Sequence, residues 1–95
     1  MATYVILSRM TPNAFHDPAD FKKVVASVVE RIKSECPDIV FKDSYATLGR
    51  FDYVDIIEAE DQKQVEKAIM IMRSLGQSET ETLAATLFKE FPDNL

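Results

Sequence analysis

Two stretches of this sequence place apolar residues at helical spacing, and runs rich in β-branched and aromatic residues bracket each of them. That order of elements, more than any single motif, limits what the chain can fold into. Ala2 to Met10 reads as a strand, closed by the turn residues of Thr11-Pro12-Asn13. Asp17 and Pro18 suit the cap and first position of a helix. Phe21, Val24, Val25, Val28, Val29 and Ile32 then recur on one stripe, which Cys36 continues and Pro37 ends. Ile39 to Leu48 and Phe51 to Ala59 read as two strands. Asp61 and Gln64 have the spacing of a capping box variant, and Val65, Ala68, Ile69, Met72 and Leu75 form the stripe of a second helix. Gly76 follows where a left-handed cap favours glycine. Ser78 to Leu87 is the last strand, and Phe88 to Leu95 is a tail of about one helical turn broken by Pro92.

Strand, helix, strand, strand, helix, strand is the split βαβ order of the ferredoxin-like α+β fold, an antiparallel sheet with both helices on one face. Residues 1–95 are read as one domain. The helix-free face of such a sheet is ordinarily polar. Here both parities are apolar: Val54 and Ile56 against Phe51, Tyr53 and Ile57 in the third strand, Val5 and Leu7 against Tyr4 and Ile6 in the first. A bulge that shifts parity mid-strand is one explanation. The preferred one is a second copy packed face to face, a homodimeric α/β barrel.

Charge narrows the function. With 11 Lys and Arg against 16 Asp and Glu, the formal charge is −5, and no basic stripe is present. Phosphate backbones need a basic field, so nucleic acid is an unsuitable partner. The single cysteine forms no internal disulfide, and one histidine with one cysteine falls short of the usual zinc set, so neither a metal nor another cofactor is expected. No apolar run approaches the ~20 residues of a membrane span. The opening MATYVILSR lacks the pattern of a signal peptide, so a cytoplasmic location is expected.

Gly49 and Arg50 separate two strand-like runs, and glycine there suits a type II′ hairpin turn. Arg50 and Asp52, two apart, would share a face of extended backbone. They could form an exposed ion pair or line the mouth of the space beneath the sheet. Arg50 can take a carboxylate in a two-pronged contact. Asp55 is either an edge-proximal or solvated aspartate, or it faces the inter-subunit space, where it would need a partner such as Arg9 or Tyr45. Cys36 reads as core and inert. The run Met70-Ile71-Met72 is wider than one stripe and suits core plus a subunit contact.

The segment Gly49-Arg50-Phe51-Asp52 resembles the signature of the GYD domain family, with Phe51 in place of tyrosine. The resemblance extends over Ala2-Thr3-Tyr4-Val5-Ile6-Leu7, Tyr45-Ala46-Thr47-Leu48, Ile57-Glu58-Ala59, and Ser74-Leu75-Gly76 with Thr80-Glu81-Thr82-Leu83. It implies a dimeric barrel and a non-enzymatic binding or stress-associated module with no assigned ligand. The loop from Thr11 to Asp17 is shorter and less basic than is usual there. The hairpin also resembles that of the effector-binding domain of Lrp/AsnC regulators, which implies an amino-acid pocket between subunits. A further alternative is a cofactor-free enzyme resembling dimeric barrel monooxygenases or isomerases. A closed apolar cavity lined by Tyr4, Tyr45, Tyr53 and His16 would favour that enzyme. The candidate ligand-binding residues are therefore Gly49, Arg50, Asp52, Tyr45, Tyr53 and His16. The expected partners are a second copy and a small carboxylate or amino acid.

Overall fold

The computed structural model describes residues 1–11 and 17–95. The strand β1 (Ala2–Met10) is followed by α1 (Pro18–Glu35), β2 (Val40–Ala46), β3 (Tyr53–Ala59), α2 (Gln62–Ser74), β4 (Ser78–Ala85) and a 3₁₀ turn over Phe88–Asn94. The sheet order is β2-β3-β1-β4 with every neighbour antiparallel. This is the ferredoxin-like α+β fold that the order of elements implied. His16 and the turn at Pro12-Asn13 lie outside the described residues.

Local chemistry sets the helix starts. Asp17 Oδ1 accepts from the Ala19 amide at 2.9 Å, and Asp61 Oδ1 accepts from Lys63 at 2.9 Å. The return arm of the expected capping box is not made. Gln64 Oε1 is buried without a partner among the described residues, while Asp38 Oδ2 takes the amides of Glu60 and Asp61 at 3.0 and 3.1 Å. Asp38 thus satisfies two donors at the entry to α2 from the far end of α1.

The core is Ile6, Ile57 and Ala59 from the sheet, Val28, Ile32 and Cys36 from α1, and Val65, Ala68, Ile71 and Met72 from α2. Of the stripe residues outside it, Val24 and Ile69 pack against its rim, Phe21 and Val29 are partly buried, and two are exposed. Val25 is 38% exposed and Leu75 39% exposed, with Ile71 filling the place expected of Leu75. The expected left-handed cap also moves by one residue. Gln77 has φ +51, whereas Gly76 is needed for space, since a Cβ there would stand 2.5 Å from the Met72 carbonyl oxygen.

The register explains the two apolar parities. Ile6 pairs with Asp55 and Leu7 with Val54, so the even residues of β1 share a face with the odd residues of β3. Tyr4, Ile6, Tyr53, Asp55 and Ile57 lie beneath the helices. Val5, Leu7, Val54 and Ile56 lie on the other face, with Leu83 of β4 paired to Val5. β1 and β3 pair without a register shift, so no bulge in them accounts for the pattern. The bulge is in β2, between Phe41 and Asp43, and lets both Phe41 and Ser44 face inward. On the second face Leu83 and Val40 are 44% and 42% exposed, and the C-terminal turn exposes Phe88 and Phe91.

Candidate functional site

The β2–β3 connection is wider than the two-residue turn expected. The strands end at Ala46 and resume at Tyr53. The Thr47 amide donates to Asp52 O at 2.9 Å, and Thr47 Oγ1 donates to Phe51 O at 2.7 Å, closing the loop. Gly49 has φ +112, a conformation that favours glycine, and its Cα faces open space.

Asp52 does not pair with Arg50. Its Oδ2 accepts the Met10 amide at 2.8 Å, and its own amide donates to Ser8 O at 2.8 Å. The carboxylate therefore ties the loop to the end of β1. Arg50 is left to lie over the Phe51 ring, 5.7 Å from its centroid. That stacking holds the guanidinium beside a groove of about 490 Å³ into which Arg9 and Arg73 also turn. Glu79, Thr80 and Glu81 of β4 form the opposite wall. Arg9 and Glu79 pair at 3.2 Å with both side chains about half exposed, a contact worth up to ~1 kcal/mol. Three guanidinium groups against two carboxylates leave the groove cationic. Arg9 and Glu79 are cross-strand partners, as are Leu7 and Glu81, so the groove adjoins the uncovered apolar face.

The other candidate residues do not join it. Tyr53 points beneath the helices, its hydroxyl 2.5 Å from Ser78 Oγ, and its ring packs at 6.0 Å and 57° against Phe21. Tyr45, 57% exposed on the edge strand, shares a cleft with Tyr53 and Phe21. Tyr4 borders a separate groove between α2 and β4. Among the described residues, Tyr4, Tyr45 and Tyr53 thus do not come together on one of these pockets, and His16 lies outside the described residues. Gly49 and Asp52 shape the loop rather than contact the groove.

Asp55 is neither solvated nor turned to the second face. It is 9% exposed beneath α1, and its partner is Ser44 Oγ at 2.5 Å rather than Arg9 or Tyr45. Burial pushes its carboxyl above the ordinary carboxylate range, and the Ser44 hydrogen bond partly opposes this. Burial likewise pushes the Cys36 thiol up, with Lys67 opposing, so Cys36 is the inert core residue expected. Among the described residues no three His, Cys, Asp or Glu side chains gather as a metal site. None of the described helices is long and apolar enough to cross a membrane.

Sequence reasoning did not assign Arg73, Thr80 or Glu81 to a site, because only the β1–β4 register and the end of α2 bring them to Arg50. It also missed the Ser44–Asp55 pair, which depends on the β2 bulge.

The comparisons agree with this architecture. A curated protein of Thermus thermophilus, the glutamine synthetase and cystathionine beta-lyase binding protein, is 29% identical over 85 residues, 90% of this chain and 88% of that one. The fold matches a 5-chloro-2-hydroxyhydroquinone dehydrochlorinase of Burkholderia phenoliruptrix AC1100, solved with 2,5-dihydroxybenzoquinone, at TM-score 0.64 and 16% identity over 93% of this chain and 97% of that one. It also matches a feast or famine regulatory protein of M. tuberculosis complexed with L-methionine, at TM-score 0.63 and 12% identity over 93% of this chain and 52% of that one. The sequence profile of the GYD domain matches residues 4–95, and the chain belongs to that family.

Proposed function

We propose that this chain is a homo-oligomeric binding module, one domain per subunit, that takes a small carboxylate or amino acid at the arginine groove on the edge of its uncovered sheet face. The observation that carries the reading is the convergence of Arg9, Arg50 and Arg73 on one open groove. Arg50 is held by Phe51 and makes no ion pair among the described residues, so its donors are available for a bidentate contact. Glu79 and Glu81 would receive the amine of an amino acid. The groove adjoins the face where a second copy would pack, so a ligand there would sit at the subunit boundary. A binding role also suits a family whose Thermus member is named for the two enzymes it binds.

The test is a thermal-shift screen of amino acids and small carboxylates against wild type and Arg50→Ala. The expected result is a stabilising ligand whose effect falls about tenfold in potency in the variant, with the unliganded melting temperature nearly unchanged. Equal responses of the two proteins, or no stabilising carboxylate at all, would remove the groove as the site.

A further inference from the structure

A second candidate site lies on the opposite side of the sheet. Between α1 and the β2–β3 side of the sheet lies a cavity of about 70 Å³. The cavity leads to an outer cleft of about 220 Å³, and the two share Phe21, Val25 and Tyr53. The walls are apolar, from Val24, Val28 and Phe41, except for Asp55 at the floor. One Asp55 oxygen takes the Ser44 hydroxyl, and the other takes no hydrogen bond among the described residues. Among the described residues, the elements around Asp55 bring no counter-charge. β1 faces it with Ile6, β2 with Ser44 and Phe41, α1 with Val24 and Val28, and α2 with Met72. Among the described residues, Tyr53 is the other titratable group lining the cavity, and its hydroxyl is engaged by Ser78.

We propose that this cleft binds a small aralkyl ammonium ion, with its nitrogen on the Asp55 oxygen that takes no hydrogen bond among the described residues and its ring in the outer cleft against Tyr45 and Tyr53. A buried carboxylate needs a paired cation or it forgoes its charge. Aromatic faces beside that carboxylate favour an organic cation over a hydrated metal. The dimensions agree: the inner cavity holds an ammonium group and a carbon or two, and the outer cleft holds a flat ring. An anion is excluded by Asp55, and an unbranched polar ligand gains nothing from the apolar walls. The site is independent of the arginine groove, since no residue lines both.

The experiment titrates benzylamine and its neutral analogue benzyl alcohol into the full chain, read by protein NMR and thermal shift. Benzylamine should shift the methyl signals of Val24, Val25 and Val28 and bind at least tenfold more tightly than the alcohol. Its affinity should rise as the pH passes upward through the titration of Asp55. Asp55→Asn should abolish that preference while leaving benzyl alcohol binding unchanged. Val25→Phe, a half-exposed position that fills the cleft, should remove both and serves should Asp55→Asn fail to fold. Equal binding of amine and alcohol, an Asp55→Asn variant that keeps the preference, or methyl shifts elsewhere would each overturn the proposal.

Discussion

Asp55 and Asp52, three residues apart, show how differently one side chain type is treated by its surroundings. Asp52 finds a backbone amide at the end of β1 and stays a structural acceptor. Asp55 is carried beneath α1, where a serine hydroxyl is its one hydrogen-bond partner among the described residues. Removing a carboxylate from water disfavours its charged form, so the folded chain holds the Asp55 proton more tightly than the unfolded chain does. The folded-state value lies above the ordinary 3.8. Below 3.8 both states are protonated and Asp55 imposes no penalty. As the pH climbs through the folded-state value, the unfolded chain has already released its proton, and stability falls. Asp55→Asn should therefore be more stable than wild type at pH 7, with the gain fading toward pH 3. Urea midpoints at a series of pH values read this directly. A constant difference between the two proteins would mean that Asp55 does not titrate apart from its unfolded value.

At the scale of elements, the helices and strands were legible from pattern and capping chemistry, while connections and faces were not. Pro18 and Asp17, or Pro37 after Cys36, act on immediate neighbours, so their effects are readable in one dimension. Whether Leu75 or Ile71 enters the core depends on how α2 rolls on the sheet, which the stripe leaves undecided. The face of Asp55 depends on its pairing with Ile6, and its partner depends on a bulge across the strand. Arg50 stood out as a candidate, yet Arg73 joins it only through the packing of α2. The β2–β3 loop shows the same division. Glycine signalled a positive φ, but the closure by Thr47 and Asp52 set the loop length. Gly49→Val should cost about 1–3 kcal/mol, since a β-branched residue is strained at this φ. No atom lies within 4 Å of the added Cβ, so the loss would be backbone strain rather than a clash. Denaturant melts check it, and wild-type stability in the variant would mean that the loop relaxes to another turn.

For the whole molecule, the unmet demand is the second sheet face. Val5, Leu7, Val54 and Ile56 are only half buried there, with Leu83 44% and Val40 42% exposed beside them. An antiparallel sheet facing water would be polar on that side, whereas the middle of this face is apolar, with Arg9, Asp43, Glu58, Glu79 and Glu81 only around it. Four strands about 4.8 Å apart and roughly 23 Å long present ~440 Å² of footprint, below the ~800 Å² per partner of a standard interface. The C-terminal segment carries further exposed apolar surface at Leu87, Phe88 and Phe91. The sheet alone falls short of a standard interface, so an interface on this face would have to draw on the turn as well. Self-association through this face is therefore expected at micromolar concentration. The register decides where a test must be placed. Ile6 is fully buried under the helices, so a charge there would unfold the chain and say nothing of assembly. Ile56 lies on the open face. Ile56→Lys should leave the circular dichroism spectrum and helix-side core intact, while an unpaired ammonium in the interface would cost several kcal/mol of association. Sedimentation equilibrium should show a dimer or larger species for wild type and the monomer for the variant. A wild-type chain that sediments as a monomer would leave this face for a different partner, and a variant that still assembles would move the interface elsewhere.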